Sequence, residues 1–279
     1  MRDRAWHATL QNSMPAPGPR RPRNKRTGQQ VRPPHERELL RICGLAAVQA
    51  LFDRDLGRVE RLFFEPTLRN DLETCCRALA GAHKPYREVD SAELARVAGT
   101  VLHGGTVAIA RPRPLVDLDP DAVRTWAQDR KPLLILDGIG NPHNLGAIAR
   151  SAAFFGLPRI MLADRPDQAL PSDAAYRVAE GGLEYVALYR ARLPAALYEL
   201  RHPYRIVGTS LAGGSAEIGP TGDRPVALIL GNEKTGLDAA TLALCREVVR
   251  IRGSGHVQSL NVASAAAILI YLLTRSPLG

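Results

Sequence analysis

Short continuous apolar runs alternate with longer stretches of helical spacing along residues 132–279. The runs LLILDGI, RIMLAD, YRIVGTSL, PVALILG and EVVRIRG predict strands, the first of them of the type that is buried on both faces. Helical spacing appears between them in NLGAIARSAAFFG, LPAALYELRH and LDAATLALC, and DAAYRVAEGGLEYVALYR predicts a helix or a pair of short strands. A final apolar helix is predicted over 262–273. The pattern predicts an open, parallel α/β sheet that binds ligands outside the carboxyl ends of its strands.

Residues 35–112 have a pattern of their own, which predicts a small α/β unit. ERELLRICGLAAVQALF and LRNDLETCCRALAGAH have helical spacing, and VERLFFE, PYREV and TVAIARP predict strands. SAELARVAG predicts a helix that Ser91 caps. Residues 113–131 are rich in proline and charge, which predicts a linker containing a short helix around 122–128. The expected division is therefore a unit at 35–112, a linker at 113–131 and a larger domain at 132–279.

The first 34 residues differ in composition from the rest. They hold eight of the 37 Lys and Arg residues and one acidic residue, Asp3, so they contribute +7 of the net charge of +9. Their prolines and charge predict a disordered tail. This tail is either an electrostatic arm for a phosphate backbone or a solubilising segment, with Met14 as an alternative start. The positive net charge favours an anionic partner.

Cysteine usage and the absence of targeting patterns predict a cytoplasmic protein. No CxxC pair exists among the four cysteines, which we interpret as reduced thiols and which are Cys43, Cys75, Cys76 and Cys245. Residues 1–30 lack the apolar stretch of a secretory signal, and their prolines disfavour the amphipathic helix of a transit peptide. The apolar run at 262–273 is shorter than the about 20 residues that cross a bilayer. No His or Cys cluster has metal-ligand spacing, so neither a membrane nor a metal partner is expected.

Three glycine-bearing loops follow predicted strands. They are DGIGNPHNLGAIARSA at 137–152, LILGNEKTGLD at 228–238 and IRGSGHVQSLNVASAA at 251–266. The first lacks the GxGxxG pattern of a dinucleotide site, because His143 stands where the third glycine is needed. The second lacks the lysine of a phosphate loop, because Leu237 stands at that position. The first departure argues against a nicotinamide-dependent oxidoreductase, and the second leaves GNEKTG with only a superficial resemblance to a phosphate loop.

Polar side chains in these loops have alternative roles that the residues alone leave open. Asn144 can cap the helix that follows it, and Arg150 is either a solvated helix residue or a ligand contact. Glu233 can accept a hydrogen bond from a ligand, pair with Arg150 or favour a helix dipole. Ser259 and Asn261 precede the last helix, where they either cap its N-terminus or hold a ligand there.

Taken in order, the three loops resemble the motifs of one family. D-x-x-x-N-P-x-N-x-G-A-x-x-R-x-A, L-G-N-E-x-x-G-L and S-L-N-V-x-x-A-A resemble motifs one, two and three of the SpoU (TrmH) branch of the SPOUT RNA methyltransferases, over about residues 132–275. GLAAVQALF and LHGGTVAIARP are similar to the small substrate-binding domain of that family, which is of the ribosomal protein L30e type. The resemblance implies a parallel sheet with a C-terminal trefoil knot, a rare exception to unthreaded topology, preceded by an L30e-like domain.

The resemblance also implies an activity and its partners. The methyl donor is S-adenosylmethionine, bound among the knot loops, and the acceptor is a ribose 2′-hydroxyl of structured RNA, either rRNA or tRNA. The active unit is a homodimer that buries the last helix. By motif, the implied catalytic residues are Asn144, Arg150, Glu233, Ser259 and Asn261, and the implied cofactor contacts are Thr209, Gly231, Ile251 and Leu260.

Elementary chemistry gives these residues expected roles. A ribose hydroxyl is a weak nucleophile, so its proton must be taken up or screened. A guanidinium is a poor base, so we expect Arg150 to clamp the adjacent phosphate and to stabilise the developing alkoxide. Glu233 and Asn144 are expected to orient Arg150 and the ribose, and Ser259 and Asn261 to position the acceptor. The proton acceptor stays open between the phosphate and water.

One departure from the family pattern leaves an alternative function. The family usually has Pro, then often Met, after the isoleucine of motif three, whereas Arg252 and Gly253 follow Ile251 in this chain. Arg252 either adds a phosphate contact or disturbs the donor pocket. The alternative is a non-catalytic knotted RNA-binding or ribosome-assembly factor, against which the intact polar set argues. The RNA and its nucleotide stay open, with rRNA favoured by the small domain.

Overall fold

A computed structural model of the chain describes residues 39–211, 213–214 and 224–275. The described chain forms two β-sheets, one of four strands and one of seven. The basic tail at 1–34, for which the sequence leaves open an electrostatic arm or a solubilising segment, lies outside the described residues. No helix within the described ranges is long and apolar enough to cross a bilayer.

The four-stranded sheet belongs to the first part of the described chain. In chain order its elements are β1 (Leu40–Cys43), α1 (Leu45–Asp55), β2 (Val59–Phe64), α2 (Glu73–Gly81), β3 (Tyr86–Glu88), α3 (Ser91–Ala98) and β4 (Thr106–Ala110). The strand order is β1-β4-β2-β3, with β4 antiparallel to both neighbours and β2 parallel to β3. Leu62 and Phe64 pack in one core cluster with α1 and α2, whereas Val107 packs with α3. The three strands predicted within 35–112 are therefore present and lie in one sheet, and the name small unit is used below for residues 40–110.

The first predicted helix of this unit is wrong at its start. Helical spacing runs through ERELLRICGLAAVQALF, but Leu40–Cys43 forms β1 and the helix begins only at Leu45. Gly44 separates the two elements with a φ of 93°, a conformation that favours glycine. Pairing with β4, in which Leu40 lies opposite Ala110, satisfies the backbone of β1. This tertiary pairing overrides the local helical pattern.

The cap of α3 is one residue away from its predicted position. The side chain of Asp90, rather than that of Ser91, accepts a hydrogen bond from the Glu93 N–H. Both residue types are good caps, so the local pattern locates the start of the helix without deciding between them. Ser91 is instead the first residue inside the helix.

The seven-stranded sheet follows and is parallel throughout. Its strands are β5 (Val116–Asp117), β6 (Leu133–Asp137), β7 (Arg159–Ala163), β8 (Ala187–Ala191), β9 (Arg205–Thr209), β10 (Val226–Gly231) and β11 (Glu247–Val249). The spatial order is β11-β9-β10-β6-β7-β8-β5, and every neighbouring pair is parallel. The predicted parallel α/β sheet is thereby confirmed.

Helices cover both faces of this sheet. Within the described ranges they are α4 (Pro120–Gln128), α5 (Pro142–Phe154), α6 (Asp173–Ala179), α7 (Gly182–Tyr185), α8 (Ala195–Leu200), α9 (Ala239–Ala243) and α10 (Val262–Thr274). Leu134 and Leu136 of β6 pack in a core cluster with α5 and α10, whereas Leu133 and Ile135 pack in a second cluster with α4 and α8. A strand between two helical layers needs an apolar side chain at every position, which explains the run LLIL.

The segment for which a linker is expected, 113–131, contributes to the large sheet. The helix α4 lies where the short helix is predicted. In addition, Val116–Asp117 forms the edge strand β5, in which Val116 pairs with Tyr189 of β8. A strand of two residues has no periodicity that the sequence could show. It forms because β8 presents an edge that needs hydrogen-bond partners.

A buried cluster of charges joins the small sheet to α6 and α7. The Glu184 carboxylate on α7 accepts hydrogen bonds from Arg58 Nη1 at 2.8 Å and from Arg113 Nη2 at 2.7 Å. Arg58, just before β2, also donates to the Tyr176 hydroxyl at 3.2 Å and to the Arg111 carbonyl at 2.8 Å. Glu184 is 2% exposed and Arg58 is 7% exposed. Buried ion pairs therefore fix the small unit onto these two helices.

Candidate functional site

A chain of side-chain hydrogen bonds joins three loops at the carboxyl edge of the large sheet. Asn144, in the first turn of α5, donates through Nδ2 to Oε1 of Glu233 at 2.9 Å, and Glu233 lies in the loop after β10. Asn261 donates through its Nδ2 to Oδ1 of Asn144 at 3.2 Å. Asn261 also caps α10 as predicted, because its Oδ1 accepts from the Ala263 N–H at 2.8 Å. The structure thus brings together three residues that the sequence offers in three separate loops.

The cap of α5 explains why Asn144 can serve in this chain. The sequence offers Asn144 as the cap, but the cap is Asn141, whose Oδ1 accepts from the His143 N–H at 2.9 Å. Pro142 occupies the first helical position, where its fixed φ suits a helix start. Asn144 therefore lies inside the helix, where it is buried and its amide can bond across to the other two loops.

The loop after β10 folds back tightly on itself. The Gly236 N–H donates to the Asn232 carbonyl at 2.9 Å. A Cβ on Gly231 would stand 2.5 Å from the carbonyl carbon of Gly236, so only glycine fits at position 231. Asn232 also donates through Nδ2 to the Gly138 carbonyl at 2.7 Å, which holds this loop against the loop after β6. Sequence reasoning missed Asn232, although its place directly before Glu233 could have suggested it.

A buried side chain outside the three motifs, that of Gln168, holds the loop after β6. Gln168 is 6% exposed, and its Oε1 accepts from the N–H groups of Gly138 at 3.0 Å and Ile139 at 3.2 Å. Asp137 ends β6 and accepts from Arg165 Nη1 at 2.9 Å. These contacts fix the backbone that leads from β6 into α5 and therefore the position of the first loop.

Arg150 lies apart from the Asn144–Glu233–Asn261 chain. Its Nη1 stands 2.8 Å from Glu180 Oε1, and both side chains are about half exposed. Arg150 therefore does not pair with Glu233, which is one of the alternatives that the sequence leaves open. Asn144 does not orient Arg150 either, because the side chains of Asn144 and Glu233 are bonded to each other. Exposed ion pairs contribute at most about 1 kcal/mol. Arg150 can therefore exchange Glu180 for another anion.

The remaining predicted residues line the same edge of the sheet. Thr209 ends β9, and its hydroxyl donates to the Ile229 carbonyl at 2.9 Å. Ile251 is half-buried against the core. Ser259 is exposed and forms no hydrogen bond through its hydroxyl with a described residue, and Leu260 is 47% exposed. Their roles in catalysis or cofactor binding stay predictions.

The segment 251–260 offers backbone groups to a ligand. It has no regular secondary structure, and its residues after the first are exposed. Its backbone N–H and C=O groups form no backbone hydrogen bond with another described residue. Such groups at the carboxyl edge of a parallel sheet suit the polar edge of a heteroaromatic base or a carboxylate. The described residues contain no group of three or more His, Cys, Asp or Glu side chains that could hold a metal ion.

Two family profiles match the chain. The SpoU rRNA methylase family matches residues 131–271, which hold the three loops. The chain belongs to the SpoU rRNA methylase family. A second profile, for RNA 2′-O ribose methyltransferase substrate binding, matches residues 41–116, which contain the small sheet. The family resemblance of the three loops and of the small unit is thereby confirmed.

Relatives and solved structures agree with this assignment. The chain is 31% identical to the 23S rRNA (guanosine-2′-O-)-methyltransferase RlmB of Acinetobacter baylyi, over 85% of this chain and 97% of that protein. It is 32% identical to an uncharacterized tRNA/rRNA methyltransferase of Escherichia coli O157:H7, YfiF, over 84% of this chain and 67% of that protein. An AdoMet-bound rRNA methyltransferase from Sinorhizobium meliloti shares the fold, with a TM-score of 0.70 and 24% identity over 86% of this chain and 88% of that chain. The chain is therefore an enzyme of the RNA methyltransferase class.

Proposed function

We propose that the protein transfers a methyl group from S-adenosylmethionine to a ribose 2′-hydroxyl of structured RNA. The observation that carries this proposal is the hydrogen-bonded chain of Asn144, Glu233 and Asn261, which joins the three motif loops at one edge of the sheet. The relative that is a 23S rRNA methyltransferase favours ribosomal RNA over tRNA. For the same reason we expect the protein to work in the cytoplasm.

The donor site combines the tight loop at Gly231 with the segment 251–260. Backbone groups of Gly231, Ile251 and Leu260 would hold the adenine and ribose of the donor, with Thr209 at the adjoining end of β9. The backbone groups of 251–260, which form no backbone hydrogen bond with a described residue, fit this task, because they supply both donors and acceptors. When bound, the donor supplies a methyl group that is activated by the positive charge of its sulfonium.

The polar chain would position the ribose. Glu233 Oε1 is engaged by Asn144, which leaves Oε2 to accept a hydrogen bond from the ribose hydroxyl. Ser259, whose hydroxyl is exposed, and Asn261, whose amide is bonded to Asn144, precede α10. Because Asn144, Glu233 and Asn261 are hydrogen-bonded to one another, they can hold the acceptor in one orientation, which lowers the entropy cost of reaction.

Arg150 would act on charge. A guanidinium binds phosphate oxygens in a two-pronged geometry, and the exposed pair with Glu180 is weak enough to be replaced by an RNA phosphate. Held there, Arg150 would stabilise negative charge that develops on the ribose oxygen. Deprotonation of the hydroxyl is assigned to another acceptor, because a guanidinium is a poor base.

A homodimer through α10 is part of the proposal. Phe154 at the end of α5 is 82% exposed, and Ile268 and Tyr271 on α10 are 40% and 48% exposed. The rings of Phe154 and Phe155 lie 5.0 Å apart, and those of Phe155 and Tyr271 lie 5.7 Å apart, so the apolar side chains form one patch. A contiguous exposed apolar patch on a globular chain marks an interaction surface.

The trefoil knot stays an expectation of the family, and the strand order supports it. The strand β10 lies between β9 and β6, although β9 precedes it in the chain, and β11 lies beyond β9. The helix α10 then packs back on α5 and β10. In this connectivity β10 enters between the earlier strands β9 and β6, and α10 then returns over β10. A threaded chain requires such an order.

Methyl-transfer assays test the proposed function. The protein is incubated with labelled S-adenosylmethionine and an unmodified 23S rRNA transcript and, separately, with labelled S-adenosylmethionine and tRNA transcripts. The 2′-O-methyl nucleotides formed in each RNA are then mapped. Arg150→Ala is expected to lower the transfer rate at least about 100-fold and to leave donor affinity, measured by calorimetry, unchanged. Arg124→Ala, at an exposed arginine on α4 outside both matched family regions, is the control.

Two outcomes would contradict the proposal. RNA binding without transfer to either substrate would favour the non-catalytic factor. A wild-type rate in Arg150→Ala would remove that residue from the mechanism.

A further inference from the structure

We infer that the amino edge of the large sheet carries a second anion site, which binds a phosphate of the RNA backbone. A cavity of about 110 Å³ lies at this edge. Its lining includes four arginines and no acidic residue, the arginines being Arg201, Arg205, Arg224 and Arg246. The inference rests on the proposed RNA substrate and extends it to a surface far from the candidate site.

Segments that meet at the starts of three neighbouring strands build this cavity. Arg205 is the first residue of β9, and Arg224 precedes β10. Arg246 precedes β11, and its backbone N–H donates to the Ile206 carbonyl at 2.9 Å. The Arg224 guanidinium donates through Nη1 to the carbonyl of Arg201 at 3.0 Å, which holds the turn after α8 against the start of β10. The backbone framework of the site is therefore fixed by hydrogen bonds.

Positive charge at this edge stands out from the composition of the rest of the chain. Without the tail at 1–34, with its eight basic residues and one acidic residue, the net charge falls from +9 to +2. Among the described residues, the carboxylate paired with a lining arginine is that of Glu247, 2.9 Å from Arg205 Nη1. Arg246 is exposed and forms no ion pair with a described residue. Clustered like charges repel one another, and a bound anion relieves that repulsion.

The size of the cavity and the residue type point to a single phosphate group. Guanidinium forks match phosphate oxygens in a two-pronged geometry. Pockets for whole small molecules measure about 300–1,000 Å³, whereas this cavity holds the volume of only three or four waters at about 30 Å³ each. A backbone phosphate of RNA can enter such a cavity while its sugar and base stay outside.

The position of the cavity requires a large RNA. The candidate site lies at the carboxyl edge of the same sheet, and at about 3.3 Å per residue the six-residue strand β10 separates the two edges by roughly 20 Å. An RNA that contacts both edges must therefore wrap around the sheet, which a folded RNA can do. Contacts at the amino edge would then add affinity for structured RNA without touching the reacting nucleotide.

The double variant Arg201→Gln/Arg246→Gln tests this inference in the full chain. Binding of an unmodified 23S rRNA transcript is measured from about 50 to 200 mM salt. The variant is expected to bind about tenfold more weakly and to reduce the slope of log K against log salt by about 1, since each lost phosphate contact lowers the slope by roughly 0.7 to 0.9. KM for RNA should rise, whereas kcat and donor affinity should not change.

The control removes the same charge elsewhere. Arg124→Gln/Arg190→Gln changes two arginines whose side chains are 65% and 44% exposed and lie on α4 and β8. It is expected to stay within twofold of the wild type in affinity and to keep its salt slope. An equal loss in both double variants would show a general effect of net charge and would overturn the inference.

A second arm separates RNA from free phosphate as the source of the anion. Thermal unfolding is followed in inorganic phosphate and in chloride of equal ionic strength. If phosphate stabilises the wild type but not Arg201→Gln/Arg246→Gln while both bind the transcript equally, the site takes free phosphate and the inference is wrong. Equal RNA binding overturns the inference alone, whereas arginine-dependent binding without any methyl transfer overturns the proposed function alone.

Discussion

Replacement of Glu184 by Gln should destabilise the protein strongly, because it leaves two guanidinium groups without their counter-ion. The Glu184 side chain is 0% exposed, whereas those of Arg58 and Arg113 are 8% and 27% exposed. Glutamine preserves the volume and one acceptor oxygen, but it removes the charge and replaces the other oxygen, which accepts from a guanidinium, with an amide donor. Arg113 would then lose its carboxylate partner, and Arg58 would keep only the more distant carboxylate of Asp55, 4.0 Å from its Nε.

The magnitude follows from the burial of this cluster. Removal of one partner from a buried ion pair costs about 3–5 kcal/mol. In chains of this size about 1 kcal/mol shifts Tm by 2–4 °C, so a fall of roughly 6–20 °C is expected. The lower half of that range is favoured, because Arg113 is partly exposed and water can reach its guanidinium.

Calorimetry and circular dichroism during heating measure this effect. Since the cluster joins the two sheets, Glu184→Gln is also expected to split the unfolding into two transitions, which breaks two-state behaviour. The matched control is Glu73→Gln, whose carboxylate is 72% exposed and pairs with Arg77 on the same helix, and which should lose no more than about 1 kcal/mol. A Tm for Glu184→Gln within 2 °C of wild type would refute the reasoning.

Three further changes have expected outcomes. Gly231→Ala should lose about 1–3 kcal/mol of stability in urea unfolding and weaken donor binding in calorimetry, because its Cβ would meet the backbone of Gly236. The Thr241 N–H donates to the Asp238 carboxylate and lowers the pKa of that carboxyl from its ordinary 3.8. The charged cap therefore stabilises α9 above about pH 4, and this stabilisation is lost as the pH falls through the lowered pKa of the folded state. The about 1 kcal/mol cost of Asp238→Ala should accordingly shrink between pH 6 and pH 3. Burial raises the pKa of the Cys43 thiol to about 11. The contribution of the neutral thiol to stability is therefore complete below about pH 8.5 and is lost as the pH rises through 11. Alkaline unfolding of Cys43→Ala, compared with that of the wild type, measures this contribution.

The parallel sheet could be predicted because its signal is local and redundant. Continuous apolar runs such as Leu133–Asp137 and Val226–Gly231 leave no alternative to strands covered on both faces. The cap of α5 could also have been predicted from the sequence, because Asn141 directly precedes a proline at the first helical position. The motif instead drew attention to Asn144, whose role depends on contacts and not on its own helix.

The contacts of the candidate site could not be predicted, because they join distant parts of the chain. Asn144 bonds to residues 89 and 117 positions further along, and no local pattern encodes such a pairing. Glu180, the partner of Arg150, follows α6 with a φ of 44°, a conformation that local preferences disfavour outside glycine. Tertiary packing imposes that conformation, so the sequence alone could not name this partner. The arginines of the amino edge are likewise scattered singly in the sequence and meet only when parallel strands align.

The short helix α7 links the small unit to the helix that carries Arg150. It has four residues and packs against both α1 of the small unit and α5. A Cβ on Gly182 would stand 2.7 Å from the Cα of Arg150, so α7 lies directly on the α5 backbone at that residue, while Glu184 two positions later holds Arg58. The small unit is therefore held in a fixed relation to Arg150. If this relation serves catalysis, Glu184→Gln should raise KM for RNA at temperatures where the protein is still folded and leave donor affinity unchanged.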